Sequence, residues 1–147
     1  MEKLLISACL LGVASRYDAR SVCVFTEQEI ASLNEKYQLI PFCPEIYGGL
    51  PTPRTPSEIV GDEIYMKDGA RVTENYRKGA EEALRLCRVL GIEKALMKER
   101  SPSCGDGLVY DGSFSGTLTE GDGITVSLLK ANGIRIYKES EINKLLK

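Results

Sequence analysis

The chain of 147 residues contains no histidine. This absence excludes Ser-His-Asp and Cys-His catalysis, and it excludes every zinc site that needs a histidine ligand. Cys, Asp, Glu, Lys, Arg, Tyr and Ser side chains are therefore left to carry any chemistry.

Strong net charge and long apolar runs are also missing. A formal net charge of −2 provides no overall basic field, so the sequence does not indicate a large nucleic-acid footprint. No apolar run approaches the length of a membrane span, and the amino terminus does not resemble a signal peptide. We therefore expect a cytoplasmic protein without a membrane partner, for which a small uncharged substrate fits at least as well as a nucleic acid.

The five cysteines form no Cys-x-x-Cys pair, so the spacing of zinc ribbons and ferredoxins is absent. An odd number of cysteines without an export signal favours a reducing compartment. In such a compartment the thiols serve as ligands or nucleophiles rather than as disulfide partners.

The length and the 43% hydrophobic content suit a single α/β domain over residues 1–147. Strands are predicted at residues 3–8, 38–43, 92–97 and 134–137. Helices are predicted to begin at Thr26 and to cover 74–90 with Thr73 as cap and Gly91 as stop, about 123–131, and a short final segment capped by Ser140. Hairpins are predicted around Gly61-Asp62 and within 108–114, and residues 44–58 are predicted to form a long ordered loop.

This alternation predicts a three-layer α/β fold. We expect a mostly parallel open sheet of four to five strands with helices on both faces, plus small β-hairpin insertions. The clearest local signal is Thr26 with Glu29, which together form a capping box at the start of the first helix.

Three cysteines, Cys9, Cys43 and Cys104, lie in segments where strand-like apolar runs end. Ligand crevices of open α/β sheets lie outside the carboxyl ends of the strands, so these thiols can meet at one edge as a metal or cluster site. The competing interpretation is that each is a small core residue, a common position for free cysteine. Gly12, Pro44 and the Pro102 to Gly105 stretch favour the shared site, because sharp chain reversals point backbone amides at a thiol.

The other two cysteines, Cys23 and Cys87, are predicted to be structural. Cys87 lies on the apolar stripe of the long helix, and Cys23 lies between two valines. The glycine-rich stretch 105–123 has neither the lysine of a P-loop nor the dinucleotide fingerprint, so it does not indicate a phosphate cradle.

Polar residues near the three cysteines are candidates for substrate chemistry. Glu45 could act as an acid or base, or it could be an exposed loop carboxylate. The remaining candidates for orienting a substrate, each with a plain loop role as its alternative, are Arg16, Tyr17, Asp18, Arg54, Ser101 and Ser103.

Four segments together resemble the single-domain thiouracil desulfurase family. They are Ser7-Ala8-Cys9-Leu10-Leu11-Gly12, Arg16-Tyr17-Asp18, Cys43-Pro44-Glu45 with Gly48 to Arg54, and Lys98 to Gly105. The resemblance implies an oxygen-sensitive [4Fe-4S] cluster held by Cys9, Cys43 and Cys104 with one iron left open. It also implies that this iron takes up the sulfur of a 2-thiouracil-like base while Glu45 and Ser101 assist its replacement by oxygen from water.

The resemblance further implies a small thiolated base or nucleoside as substrate. Thiolated tRNA is less favoured because this chain lacks the extra domain of two-domain relatives. The natural substrate and the oligomeric state stay open, as does the question whether an aerobically prepared sample keeps, loses or replaces an open three-ligand cluster. Three rivals remain: a non-enzymatic metal or sulfur carrier, a thiol-based sulfurtransferase and a small nucleotide-binding module.

Overall fold

A computed structural model describes residues 1–20 and 24–147. Cys23, predicted to be a structural residue, lies outside the described residues. The strands are β1 (Glu2–Ser7), β2 (Tyr37–Phe42), β3 (Ser57–Val60), β4 (Glu63–Met66), β5 (Lys94–Met97), β6 (Leu108–Tyr110), β7 (Leu118–Glu120) and β8 (Arg135–Lys138). The α-helices are α1 (Glu27–Lys36), α2 (Pro44–Tyr47), α3 (Thr73–Leu90), α4 (Ile124–Ala131) and α5 (Ile142–Leu146).

The central sheet contains four strands in the order β2-β1-β5-β8, and every pairing in it is parallel. The strands β3 and β4 form one small antiparallel hairpin, and β6 and β7 form another. The predicted α/β fold with a parallel sheet and hairpin insertions is thus confirmed.

Helices cover both faces of the sheet. Neighbouring residues of β1 point to opposite faces, and the apolar residues on both faces are buried. Leu4 and Ile6 pack with Leu33 of α1 and Leu145 of α5. Leu5 packs in a second cluster with residues of α3 and α4, including Ala83 and Val126. A strand buried on both faces reads as a continuous apolar run, which is how β1 is visible in the sequence.

Several local predictions are confirmed. The Thr26 hydroxyl accepts from the Glu29 amide at 3.1 Å, and the Thr26 amide donates to the Glu29 carboxylate at 3.0 Å. Gly91 ends α3 with a left-handed φ of 69°. No helix among the described ranges is long and apolar enough to cross a membrane.

Four local predictions are wrong in part. Residues 44–58 are not a continuous loop, since they contain α2 and the start of β3. Thr73 is the first residue of α3 rather than its cap, because its hydroxyl is used by β4. The second hairpin returns at 118–120 rather than within 108–114, and Ser140 lies in a 3-10 turn without capping α5.

The strand order creates a crevice beside β1. The chain runs from β1 to β2 on one side, and the next sheet strand, β5, lies on the other side of β1. This reversal of direction is the topological switch point at which open α/β sheets bind ligands. The segments that follow β1, β2 and β5 therefore meet at one end of the sheet.

Candidate active site

A cavity of about 410 Å³ lies at the carboxyl ends of these strands. All three cysteines predicted to share a site, Cys9, Cys43 and Cys104, line it. Cys87 is instead buried in the apolar cluster between the sheet and α3. Every described cysteine is a free thiol.

Cys9 is positioned by a short 3-10 turn over Ala8–Leu11 that follows β1 without a gap. Gly12 ends this turn with a φ of 84°, and its amide donates to the Cys9 carbonyl at 3.1 Å. A left-handed residue at this position reverses the chain at little cost only if it is glycine. The turn keeps Cys9 at the sheet edge instead of letting the chain run on.

Cys43 is positioned by α2, which begins immediately after it with Pro44 as its first residue. The amides of Glu45 and Ile46 both donate to the Cys43 sulfur. The helix lies unusually close to α3, because a Cβ added to Gly79 would stand 1.9 Å from the Pro44 carbonyl oxygen. Proline suits the first helical position, and glycine at position 79 allows the close contact of α3 with the helix that follows Cys43.

Cys104 is positioned by the amino terminus of α4. The amides of Ile124 and Thr125, which have no acceptor within the helix, donate to the carbonyls of Pro102 and Ser103 at 2.8 and 3.0 Å. These main-chain acceptors satisfy amides that a helix start leaves without partners. These hydrogen bonds fasten the turn that carries Cys104 to the start of α4, about twenty residues further along the chain.

The three thiols influence one another electrostatically. Burial raises the pKa of Cys9 to about 11, and Cys43 adds to the rise while Lys98 opposes it. Burial raises the pKa of Cys104 to about 12; the Ser103 and Ser7 hydroxyls oppose the rise, and Cys43 and Cys9 add to it. Burial likewise raises the pKa of Cys43, opposed chiefly by the Ile46 amide. Metal binding to such thiols must displace their protons.

The described side chains do not form a ready site for a single metal ion. In residues 1–20 and 24–147, no group of three Cys, Asp or Glu side chains could hold one metal ion. A single zinc ion requires every sulfur about 2.3 Å from one centre. In a [4Fe-4S] cube each thiolate binds a different iron, so three sulfurs around one cavity can stand farther apart. Hydrogen bonds to the cysteine sulfurs are a further property of such sites, and Ser103 Oγ donates to Cys104 Sγ at 3.5 Å.

Glu45 lines the same cavity, and both of its carboxylate oxygens are held. Oε2 is 3.0 Å from Nη2 of Arg54, and Oε1 accepts from the Tyr76 hydroxyl. The Arg54 side chain is only 2% exposed and that of Glu45 is 18% exposed. This carboxylate is therefore fixed in direction by a buried ion pair and is not a freely solvated loop residue.

Ser101 also lines the cavity. Its hydroxyl accepts from the Cys104 amide at 2.7 Å and lies 3.1 Å from the Ser103 hydroxyl. Ser103 is fully buried, and its side chain contacts Cys104. The Ser-Pro-Ser segment thus shapes the turn around Cys104 while it places one hydroxyl at the cavity.

Of the six residues predicted to orient a substrate, Arg16, Tyr17 and Ser101 line the cavity, whereas Asp18, Arg54 and Ser103 are not among its described lining residues. Asp18 pairs with Arg16 at 3.6 Å, and Ser103 is fully buried with its hydroxyl on the Cys104 sulfur. Arg54 holds Glu45 and donates to the Ser15 carbonyl at 3.1 Å. Their contacts with substrate stay predictions.

Sequence reasoning assigned no role to several residues that the structure places at the site. Ser7 at the end of β1 accepts from the Lys98 amide at 2.9 Å and touches the Cys104 thiol. Lys98 lines the cavity and pairs with Glu139 at 2.6 Å. Tyr76, on the buried face of α3, gave no signal beyond its apolar spacing. A buried serine or tyrosine beside a site cannot be told from a core residue by sequence pattern alone.

Fold and site together define an open α/β protein with a three-cysteine cavity at its switch point, a site of the kind that can hold an iron–sulfur cluster. The chain belongs to the 2-thiouracil desulfurase family, whose model matches residues 4–141. The resemblance found in the four sequence segments is thereby confirmed.

Two relatives cover nearly the whole chain. The solved structure of the [4Fe-4S]-dependent thiouracil desulfidase TudS is 43% identical, with a TM-score of 0.93 over 99% of this chain and 95% of that one. The uncharacterized protein YbbK of Bacillus subtilis (strain 168) is 36% identical over 153 residues, covering 97% of this chain and 99% of its own length.

Proposed function

We propose that this protein is an iron–sulfur-dependent desulfurase that removes the sulfur of a small thiolated nucleobase such as 2-thiouracil. The observation that carries the proposal is the meeting of Cys9, Cys43, Cys104 and Glu45 at one cavity. Family membership and the likeness to a [4Fe-4S]-dependent thiouracil desulfidase support it.

The residues that would hold a [4Fe-4S] cluster are Cys9, Cys43 and Cys104. When bound, such a cluster supplies an iron without a protein ligand, and soft sulfur prefers that iron to carboxylate or hydroxyl groups. The cavity has the size of a small-molecule site, which favours a base or nucleoside as substrate over thiolated tRNA.

Glu45 is proposed to accept a proton from the attacking water. A carboxylate has about four acceptor positions, so the donors Arg54 and Tyr76 leave capacity that faces the cavity. Their bonds also fix the direction in which the oxygens point, which lowers the cost of orientation. The sequence left acid and base roles open, and two donors already on this carboxylate favour the base.

Ser101 is proposed to orient the heterocycle. Because its oxygen already accepts from the Cys104 amide, its proton is free to point at a ring heteroatom or at Ser103.

In the net reaction the C=S bond of the base becomes C=O. Water provides the oxygen, and its two protons leave with the sulfur as hydrogen sulfide. No oxidant or reductant is consumed.

Substitution of single cysteines tests this proposal against its rivals. After anaerobic reconstitution, the wild-type chain should bind about four irons and release sulfide from 2-thiouracil. Serine at position 9, 43 or 104 should abolish both properties, whereas Cys87→Ser should retain both because Cys87 lies in the core.

The outcomes separate the alternatives. A carrier would bind iron in the wild type and leave thiouracil unchanged. A thiol-based sulfurtransferase would work in air without iron and would depend on one cysteine. Wild-type protein that contains the cluster but releases no sulfide from any thiolated base would refute the proposed activity.

A further inference from the structure

The segment 111–117 between β6 and β7 reaches back to the cavity from the second hairpin. Phe114 and Gly116 of this segment line the cavity, as does Tyr110 at the end of β6. None of these residues belongs to the turns that carry the three cysteines, and none is a hydrogen-bond partner of Glu45. The segment therefore adds a wall to the site that the proposed chemistry does not yet use.

Glu58 fastens this segment to the first hairpin. The residue is only 8% exposed, and it also lines the cavity. Its Oε1 accepts from the amide of Gly112 at 2.9 Å and from the amide of Phe114 at 3.2 Å. Hydrogen bonds from amides to an ionised carboxylate are stronger than those to a neutral acceptor. One buried side chain thus fastens the segment to β3 through two main-chain amides.

The backbone around Phe114 is held in an unfavourable conformation. Phe114 has a φ of 56°, in the left-handed region that a bulky residue rarely adopts. At Gly112, a Cβ would stand 2.7 Å from the Ile59 carbonyl oxygen, so the segment is pressed directly against β3. Asp111 closes the turn by accepting from the Ser113 amide at 2.9 Å. Strained residues of this kind persist where the surroundings over-determine them, and they concentrate at ligand sites.

We propose that Phe114 is the stacking face for the planar ring of the substrate, and that Glu58 is the positioning residue that keeps it there. This inference rests on the proposed function, because it assumes a flat thiolated heterocycle in the cavity. Stacking on an aromatic side chain contributes to binding of any nucleobase but requires a flat partner. Phe114 therefore determines the preference for aromatic thiocarbonyl compounds over puckered ones.

The test compares 2-thiouracil with 5,6-dihydro-2-thiouracil, which keeps the thiocarbonyl group but has a puckered ring. The ratio of their kcat/KM values in one preparation is independent of how much cluster the preparation contains. Phe114→Ala should lower this ratio about tenfold, while Phe114→Tyr should preserve it. Leu108→Ala is the matched control, since Leu108 is exposed on the same hairpin and lies outside the described cavity lining.

Glu58 is tested by coupling. Glu58→Ala should lower the ratio as much as Phe114→Ala, and the double variant should be no worse than either. Glu58→Gln retains an oxygen that can accept from both amides. Because this neutral oxygen is a weaker acceptor than a carboxylate, the ratio should stay within about threefold of the wild-type value. Chymotrypsin should cut the segment 110–114 faster in Glu58→Ala than in the wild type.

Binding without turnover provides an independent readout. Calorimetry on the cluster-containing protein should show that Phe114→Ala weakens uracil binding about tenfold and leaves dihydrouracil nearly unchanged. If the wild type desulfurises thiouracil while Phe114→Ala keeps the kinetic ratio and the uracil affinity, the stacking role is refuted and the proposed function stands. If the wild type is inactive, the function fails and uracil binding alone decides the stacking role.

Discussion

Replacing Glu45 by alanine should destabilise the whole protein as well as stop catalysis. The carboxylate is 3.0 Å from the guanidinium of Arg54, whose side chain is 2% exposed. Without Glu45, a buried positive charge would lack its counter-ion. A loss of activity in this variant alone would therefore not distinguish a proton acceptor from a structural anchor.

The magnitude follows from the contacts that Arg54 would keep. Removing one partner of a buried ion pair costs about 3–5 kcal/mol. The guanidinium would retain three neutral acceptors, the carbonyls of Ser15 and Pro51 and the hydroxyl of Thr52. We therefore expect the lower end, about 3 kcal/mol. For a chain of this size, about 2–4 °C per kcal/mol converts this into a fall in Tm of roughly 6–12 °C.

The assay is thermal unfolding followed by circular dichroism under anaerobic conditions, with all variants compared at equal cluster content, because a bound cofactor also stabilises the fold. Arg54→Met removes the charge that Glu45 compensates. The double variant Glu45→Ala/Arg54→Met should recover about 2 kcal/mol relative to the sum of the single changes. It should nevertheless stay inactive, because the proposed proton acceptor is gone.

Two results would contradict this reasoning. A Tm for Glu45→Ala within about 2 °C of the wild type, less than 1 kcal/mol, would show that Arg54 does not depend on Glu45. Activity restored in the double variant would show that Glu45 acts only by holding Arg54, and would remove it from the proposed mechanism.

Two further changes probe the supports of the site, and a third probes the contact between α3 and β4. Gly79→Ala should force α3 away from Pro44, because the new Cβ would stand 1.9 Å from the Pro44 carbonyl oxygen. We expect the free energy of unfolding to fall by about 1–3 kcal/mol and the iron content after reconstitution to be reduced. Full iron content would show that this contact does not position Cys43. Tyr76→Phe removes a donor to Glu45, so kcat should fall about tenfold at unchanged iron content, and an unchanged kcat would contradict a positioning role. Thr73→Val leaves the buried amide of Ile64 in β4 without its acceptor, the Thr73 hydroxyl at 2.8 Å. The free energy of unfolding in urea should fall by about 1–3 kcal/mol, and Thr73→Ser should lower it much less. Equal losses in the two variants would show that packing, not the hydrogen bond, is responsible.

Local patterns predicted the elements that are stabilised by their own residues. The capping box of Thr26 and Glu29 is formed by neighbours in the chain, so it could be read directly. The apolar run of Leu4, Leu5 and Ile6 in β1 is equally visible, because the side chains on both faces of this part of the strand are buried. Thr73 was misread because its hydroxyl is used by Glu63 and Ile64 on another element, which no local rule includes.

The candidate site was predictable in its cysteines but not in its supports. Cys9, Cys43 and Cys104 each stand where an apolar run gives way to a chain reversal, and a chain reversal is a local signal. The partners of Glu45 gave no such signal. Arg54 lies in a proline-rich stretch that reads as exposed loop, yet its side chain is buried, and Tyr76 reads as a core residue of α3.

Local signals identified the main strands and helices and limited the chemistry to a few residue types, because backbone propensity, burial periodicity and the lack of histidine act within the chain. The position of β5 beside β1, on the side away from β2, gave no local signal and became visible in the folded chain. That order depends on how helices cover both faces of the sheet, a property of long-range packing. It alone brings Cys104 to the cavity of Cys9 and Cys43, and so turns three separate strand ends into one site.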